Sequence, residues 1–244
     1  MRYLIRFSYD GTNFCGYQKQ PNDKRTVEGC LEKALYEINN HKDTPIYSSG
    51  RTDAGVHAIN QVAHFDLDIK ITLFKLKCAL NSLLPEDIHV SHTEIVDDDF
   101  HSRYHVKKKI YEYYLNTGEY IPTERNYVYQ YGKELDIDKM IQGSKYLIGK
   151  HDFKNYVSLA AKKENYEREI FSIKITKRKN IIKFTFSGSG FMKYQVRNMV
   201  GTLIKVGNGK LEPIDIKRIL DDSKNVTKVF TAGACGLYLK DVKY

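Results

Sequence analysis

Residues 48–58 read SSGRTDAGVHA. The stretch sets Arg51, Asp53 and His57 among glycines and other small residues, between two segments that alternate like strands. One reading is structural: Asp53 bonds its own backbone and Gly55 supplies a positive φ. The other is chemical. A carboxylate held near an arginine is favoured in its ionised form and can attack an electrophilic carbon. A single nucleophilic carboxylate without a clear acid partner fits few reactions. One is cleavage of a bond whose leaving group departs without strong acid help.

The flanks give the fold. Pro45–Ser49 and Gln61–Leu67 read as strands, with Ser48–Ala58 joining them. Upstream, Tyr3, Ile5, Phe7 and Tyr9 alternate with Leu4, Arg6 and Ser8; both sets carry apolar groups, as in a central strand. Asp10-Gly11 ends that strand in a turn. Thr26 is placed to cap a helix whose apolar face is Val27, Leu31, Ala34, Leu35 and Ile38. Thr72 caps another, with Leu73, Leu76, Leu80 and Leu83 on one face, and Ile88–Val96 is again a strand.

The second half has the same grammar. Val106–Leu115 is a long strand. Ile137, Met140, Ile141, Leu147 and Ile148 form a helical face stopped by Gly149. Glu169–Lys177 and Ile181–Ser187 pair around the turn KRKN. Phe191–Val206 reads as an amphipathic helix ended by GNG, a short helix starts near Pro213, and Leu237–Val242 is a final strand. Strands mixed with helices, many close enough in sequence to be antiparallel, predict an α+β protein. Two similar α/β halves, 1–104 and 105–244, are expected to share a mainly antiparallel sheet. The boundary near Arg103–Lys108 has no Pro/Gly/Ser-rich linker.

Composition narrows the function classes. At 41% hydrophobic over 244 residues the chain can bury a substantial core. No run of about 18 apolar residues marks a membrane span, and MRYLIRFSYDG lacks a leader's apolar segment, so a cytoplasmic protein is expected. Cys15, Cys30, Cys78 and Cys235 are scattered, without metal-ligand spacing. The net charge of +9, with 19 Tyr and 11 Phe, favours a polyanionic, base-bearing partner. No Walker-type loop or GxSxG elbow occurs. His101 and His105 lack an HExxH context, and Asp97–Asp99 reads as a solvated turn.

GRTDAGVHA at Gly50–Ala58 resembles the signature of the TruA family of tRNA pseudouridine synthases. YDGTNFCGYQKQ, SRYHVKKKIYEYYL (Ser102–Leu115), SGSGFMKYQVRNMVGTLIKVGNG (Ser187–Gly209) and GLYL (Gly236–Leu239) look like further family segments in family order. The resemblance implies a pseudouridine synthase fold with a core antiparallel sheet, a homodimer, and tRNA as partner. It also implies conversion of uridine to pseudouridine at positions 38, 39 and 40 of the anticodon stem-loop, with neither metal nor organic cofactor. By the same resemblance Asp53 is the catalytic aspartate. Tyr111 stacks on the target base, Arg197 pairs with the carboxylate, Arg51 holds the flipped nucleotide, and Leu237 packs the base. On local pattern alone, Arg197 reads as a surface arginine and Tyr111 as core. The chain departs from the family at Tyr17, where Trp is usual, at Gly233 (proline) and at Gln195 (methionine). A paralogue with a shifted RNA substrate and a non-catalytic tRNA-binding protein are the rival readings.

Overall fold

A computed structural model describes residues 1–21, 24–158, 165–222 and 229–244. The chain runs β1 (Arg2–Tyr9), α1 (Val27–Ile38), β2 (Tyr47–Ser48), β3 (His57–Asp66), α2 (Leu73–Leu83), β4 (Ile88–Ile95) and β5 (Lys108–Asn116). It continues through β6 (Tyr129–Gln130), α3 (Ile137–Ser144), β7 (Gly149–Asp152), β8 (Glu167–Arg178), β9 (Ile181–Gly188), α4 (Gln195–Gly207), α5 (Asp215–Asp221) and β10 (Leu237–Lys243). It divides into two units, Met1–Lys107 with Leu239–Tyr244, and Lys108–Tyr238.

In the first unit β1 pairs antiparallel with β3 on one side and β4 on the other. Its two apolar faces explain the central place: Tyr3, Leu4, Ile5 and Phe7 are all buried. β2 adds two residues to β3, Tyr47 opposite His64 and Ser48 opposite Ala63. The last residues of the chain join this unit because β10 lies beside β3, Asn60 donates to Asp241 at 2.7 Å, and Lys107 N–H donates to the Lys243 carbonyl at 2.9 Å. Both helices start where their caps put them. Thr26 accepts the Gly29 N–H and Thr72 the Lys75 N–H. Val27, Leu31, Ala34 and Leu35 of α1 and Leu76 and Leu80 of α2 are buried, whereas Leu83 is not.

In the second unit β5, β9, β8 and β7 form an antiparallel run. The KRKN turn closes β8 onto β9 with Arg178 opposite Ile181 and Lys179 at φ 52°. α3 packs against α4. The short β6 pairs parallel with β5. Neither β6 nor β7 has a pattern long enough to predict a strand.

The architecture is α+β and mainly antiparallel, as the pattern predicts; several boundaries move. β2 is only Tyr47–Ser48, and β3 begins at His57, inside the signature stretch. α4 starts at Gln195, four residues later than the periodicity predicts, because Tyr194 is left-handed at φ 66°. The Gln195 side chain then accepts the Met192 N–H at 2.9 Å. The amphipathic α4 is nonetheless covered on nearly every face: only Arg197 and Lys205 among its residues escape burial. α5 begins at Asp215, after a turn at Pro213-Ile214.

Candidate active site

The loop between β2 and β3 is braced at Ser49, Gly50, Thr52, Asp53 and Val56. Ser48 Oγ and Gln61 Nε2 both donate to the Gly50 carbonyl, at 3.1 and 2.9 Å, and Ser49 Oγ donates to Gln61 Oε1 at 2.6 Å. The Tyr9 hydroxyl shares a 2.8 Å hydrogen bond with Thr52 Oγ1, and Tyr17 N–H donates to the Thr52 carbonyl at 3.1 Å. Val56 N–H closes back on the Asp53 carbonyl at 3.2 Å, with Gly55 at φ 76°. That is the left-handed third residue of a type II turn. The structural reading of Gly55 therefore holds, and it serves to present Asp53.

Behind the loop lies the segment that follows β1. Gly11 N–H donates to His57 Nδ1 at 3.0 Å, and Asp10 Oδ1 lies 3.1 Å from the same nitrogen. Asp10 Oδ1 also accepts from Thr12 N–H and from the Thr12 hydroxyl. A Cβ on Gly11 would lie 2.1 Å from the Val56 carbonyl oxygen, and one on Gly16 (φ 104°) 3.2 Å from that of Thr52. Both glycines let backbone approach backbone. Tyr9, Tyr17, Ser49, Thr52, Val56, His57 and Gln61 are all buried, while Asp53 is half-buried. Burial pushes the Tyr9 phenol up to about 12, so it keeps its proton at neutral pH. A half-buried carboxylate on a loop fixed by buried hydrogen bonds is held in a defined place, with the Tyr17 hydroxyl the one buried polar atom of that frame left without a hydrogen-bond partner among the described residues.

Arg51 shares the loop but not the expected pairing. Its guanidinium is exposed, its charge is felt by Glu28, and among the described residues it makes no ion pair with Asp53. The bracing turns the Thr52 side chain inward and leaves Arg51 pointing to solvent.

The remaining candidates belong to the second unit. Tyr111 is buried on β5, its ring 5.2 Å from that of Phe191 at 79°. Tyr113, two residues on, donates from its hydroxyl to the Gly233 carbonyl at 2.8 Å. Glu112 points to the opposite face, where Lys183 Nζ lies 2.6 Å from Oε1 and the Tyr114 hydroxyl donates to Oε2 at 2.7 Å. Arg197, in the first turn of α4, is half-buried rather than on the surface. Its Nε donates to the Ala232 carbonyl at 2.8 Å, its own carbonyl accepts the Ala232 N–H at 3.1 Å, and its guanidinium lies 5.0 Å from the Tyr194 ring centroid. Its charge is felt by Tyr113 and by Cys235, whose thiol burial pushes up. Leu237, two residues beyond Cys235, is buried at the start of β10. The second unit thus brings Arg197 near Tyr113 and near Cys235, two residues before Leu237.

Sequence reading misses the supports Tyr9, Thr52, Gln61, Gly11 and Gly16. The one signal for them is a glycine directly after a buried strand, in YDG, where close backbone approach is a standing possibility.

The family model of tRNA pseudouridine synthases matches residues 5–105 and 144–244. A Limosilactobacillus reuteri (strain DSM 20016) protein named tRNA pseudouridine synthase A is 42% identical over 248 residues, 100% of this chain and 96% of its own. A protein of the same name from Streptococcus agalactiae (strain A909) is 43% identical over 246 residues, 100% of this chain and 95% of its own. One from Streptococcus equi subsp. equi (strain 4047) is 44% identical over 247 residues, covering 100% and 98%. The braced GRTDAGVHA loop therefore occurs in a chain that belongs to the tRNA pseudouridine synthase family.

Proposed function

We propose that this chain, a tRNA uridine isomerase, acts on the anticodon stem-loop at positions 38, 39 and 40, with Asp53 as its catalytic carboxylate. The observation that carries the assignment is the frame of buried hydrogen bonds holding Asp53 half-exposed on its loop. Asp53 either attacks C1′ of the target ribose or removes a ribose proton. The C1′–N1 bond breaks and the uracil leaves with that electron pair. The ring turns and C5 bonds to C1′ as the Asp53–C1′ ester breaks, or as the ribose proton is returned from Asp53; C5 then loses its proton as N1 gains one. Atoms and charge balance without an added reactant.

In the same reading Arg197 pairs with the carboxylate, and the Nε bond to Ala232 supports it by fixing the guanidinium plane. Tyr111 stacks on the uracil, supported by its edge-on contact with Phe191. Leu237 packs the base edge, and exposed Arg51 holds the flipped nucleotide, whose extrusion costs a few kcal/mol. Incubating the protein with uridine-labelled tRNA and separating the nucleosides tests the whole reading. Pseudouridine at positions 38–40 is expected; unchanged uridine or free uracil would overturn it.

In the same reading the Tyr111 hydroxyl also accepts or relays the C5 proton; Tyr111→Phe keeps the ring and removes that hydroxyl. RNA affinity is expected to hold. Turnover should fall on the order of a hundredfold, with adducts of the detached uracil accumulating in single-turnover quenches. Wild-type turnover would reduce Tyr111 to a stacking platform.

The enzyme is further proposed to work as a homodimer gripping one tRNA with both protomers. A 28.4 kDa chain offers limited area to hold a stem while reaching its loop. Sedimentation at micromolar concentration should give the dimer mass; a fully active monomer would refute it.

A further inference from the structure

Away from the Asp53 loop, the first unit carries a second set of rings fixed with equal care. His64 Nδ1 lies 2.9 Å from Ser102 Oγ and accepts the Ser102 N–H at 3.2 Å. The Ser102 hydroxyl donates to the Tyr47 carbonyl, and the Tyr244 hydroxyl donates to the Ser102 carbonyl at 2.7 Å. These bonds pin the turn after Phe100 onto β2 and β3. From buried His64 the rings step outward. Tyr47 stacks on His64 at 5.1 Å and 23°, His101 lies 4.7 Å from His64, and Tyr104 lies 4.3 Å from His101. The outer rings meet solvent: Tyr47 is 47% and Tyr104 73% exposed.

This patch has the chemistry of a base platform. Burial holds His64 down at about 4, and burial with nearby Arg2 lowers His101, so both rings are uncharged at neutral pH. The Arg103 guanidinium lies 5.9 Å from the Tyr104 ring centroid and makes no ion pair among the described residues. Asp66 is clamped by Arg2 at 3.0 and 2.8 Å, and Arg2 also faces the acidic turn at Asp98 and Asp99, which offsets part of that charge. The histidines do not form a metal site: among the described residues no three His, Cys, Asp or Glu side chains converge on one point. Tyr47 precedes Asp53 by six residues of one chain, so the two lie within about 20 Å.

We propose that Tyr47, His101 and Tyr104 form a shelf that stacks an unpaired base of the substrate RNA within about 20 Å of the target nucleotide, with Arg103 on its phosphate. The inference rests on the proposed function for its ligand. Flat, uncharged rings accept any base face, and a neighbouring cation supplies the backbone contact. A net charge of +9 suits the same occupant.

The test uses anticodon stem-loop RNAs carrying 2-aminopurine at one unpaired position at a time, titrated with wild type, Tyr104→Ala and Tyr104→Phe. Tyr104 is mostly solvent-exposed, so both variants should keep the wild-type melting temperature. Wild type should quench the probe at one loop position. Tyr104→Ala should lose that quench and bind about 5- to 150-fold more weakly, while Tyr104→Phe retains both. Equal binding by Tyr104→Ala overturns the shelf, and so does equal weakening by Ala and Phe, which would indicate a hydroxyl contact. A Tyr104→Ala protein that sediments differently without RNA assigns the patch to a second copy and also overturns it. Scoring the same RNAs for pseudouridine separates the two claims. Wild type that quenches through Tyr104 yet forms no product supports the shelf while the proposed function fails.

Discussion

Asp53→Asn is expected to lower single-turnover pseudouridine formation at least about a thousandfold, about 4 kcal/mol in barrier. The amide keeps the size of the carboxylate and its hydrogen-bonding capacity but cannot attack C1′ or take a ribose proton. The loop should keep its shape, because the bonds that brace it reach Gly50, Thr52 and the Asp53 main chain. Affinity for tRNA should be unchanged, since contacts to phosphate and sugar position the RNA. Quenched single-turnover reactions with binding isotherms check both halves. Wild-type product formation would remove Asp53 from the chemistry altogether.

Gly11→Ala should injure the same reaction without touching the carboxylate. The added Cβ would meet the Val56 carbonyl oxygen at 2.1 Å, its carbon at 2.5 Å and the Val56 nitrogen at 3.0 Å. All three are main-chain atoms, so relief requires the loop itself to move, by about 1 Å. A displacement of that size costs on the order of a hundredfold in turnover. Crowding should also cost about 1–3 kcal/mol of stability, which for a chain of this size lowers Tm by roughly 2–12 °C. Gly190→Ala is the control, because nothing lies within 4 Å of its added Cβ. The pair of variants is diagnostic: Asp53→Asn should lose turnover with the main-chain frame of its loop intact, and Gly11→Ala should lose turnover because that frame moves. A Gly11→Ala enzyme with normal turnover would show that the loop tolerates displacement.

What the sequence discloses follows from how local the responsible physics is. The central strand β1, both capped helices and the KRKN hairpin are legible because apolar period, cap residue and turn residue all lie within a few positions of one another. The start of α4 is not. Residues Phe191–Tyr194 continue the helical period, and only the left-handed Tyr194 and the Gln195 side chain on Met192 N–H shorten it. Burial of α4 on nearly every face likewise depends on partners distant in sequence. At Gly201, for example, an added Cβ would strike the Phe230 carbonyl oxygen at 1.8 Å. In the site, Asp53 stands out because its neighbours are chemically unusual for a turn. Tyr9, Thr52 and Gln61 look ordinary, since each acts through hydrogen bonds formed only in the folded chain. Arg51 shows the opposite error: adjacency in sequence suggests a pairing with Asp53 that the loop's geometry sends apart.

The return of Leu239–Tyr244 to the first unit carries a consequence for synthesis. The unit bearing Asp53 is complete only when the closing strand lies beside β3. A ribosome that has translated β1 to β4 has therefore made Asp53 and its buttresses but not the edge that finishes their sheet. Bringing residue 239 back to residue 107 across an unfolded intervening segment costs about 4 kcal/mol of loop-closure entropy. Folding the second unit first would replace that floppy loop by a structured one. The nascent chain thus has reason to mature in reverse of its numbering, with the earliest-made residues the last to become rigid.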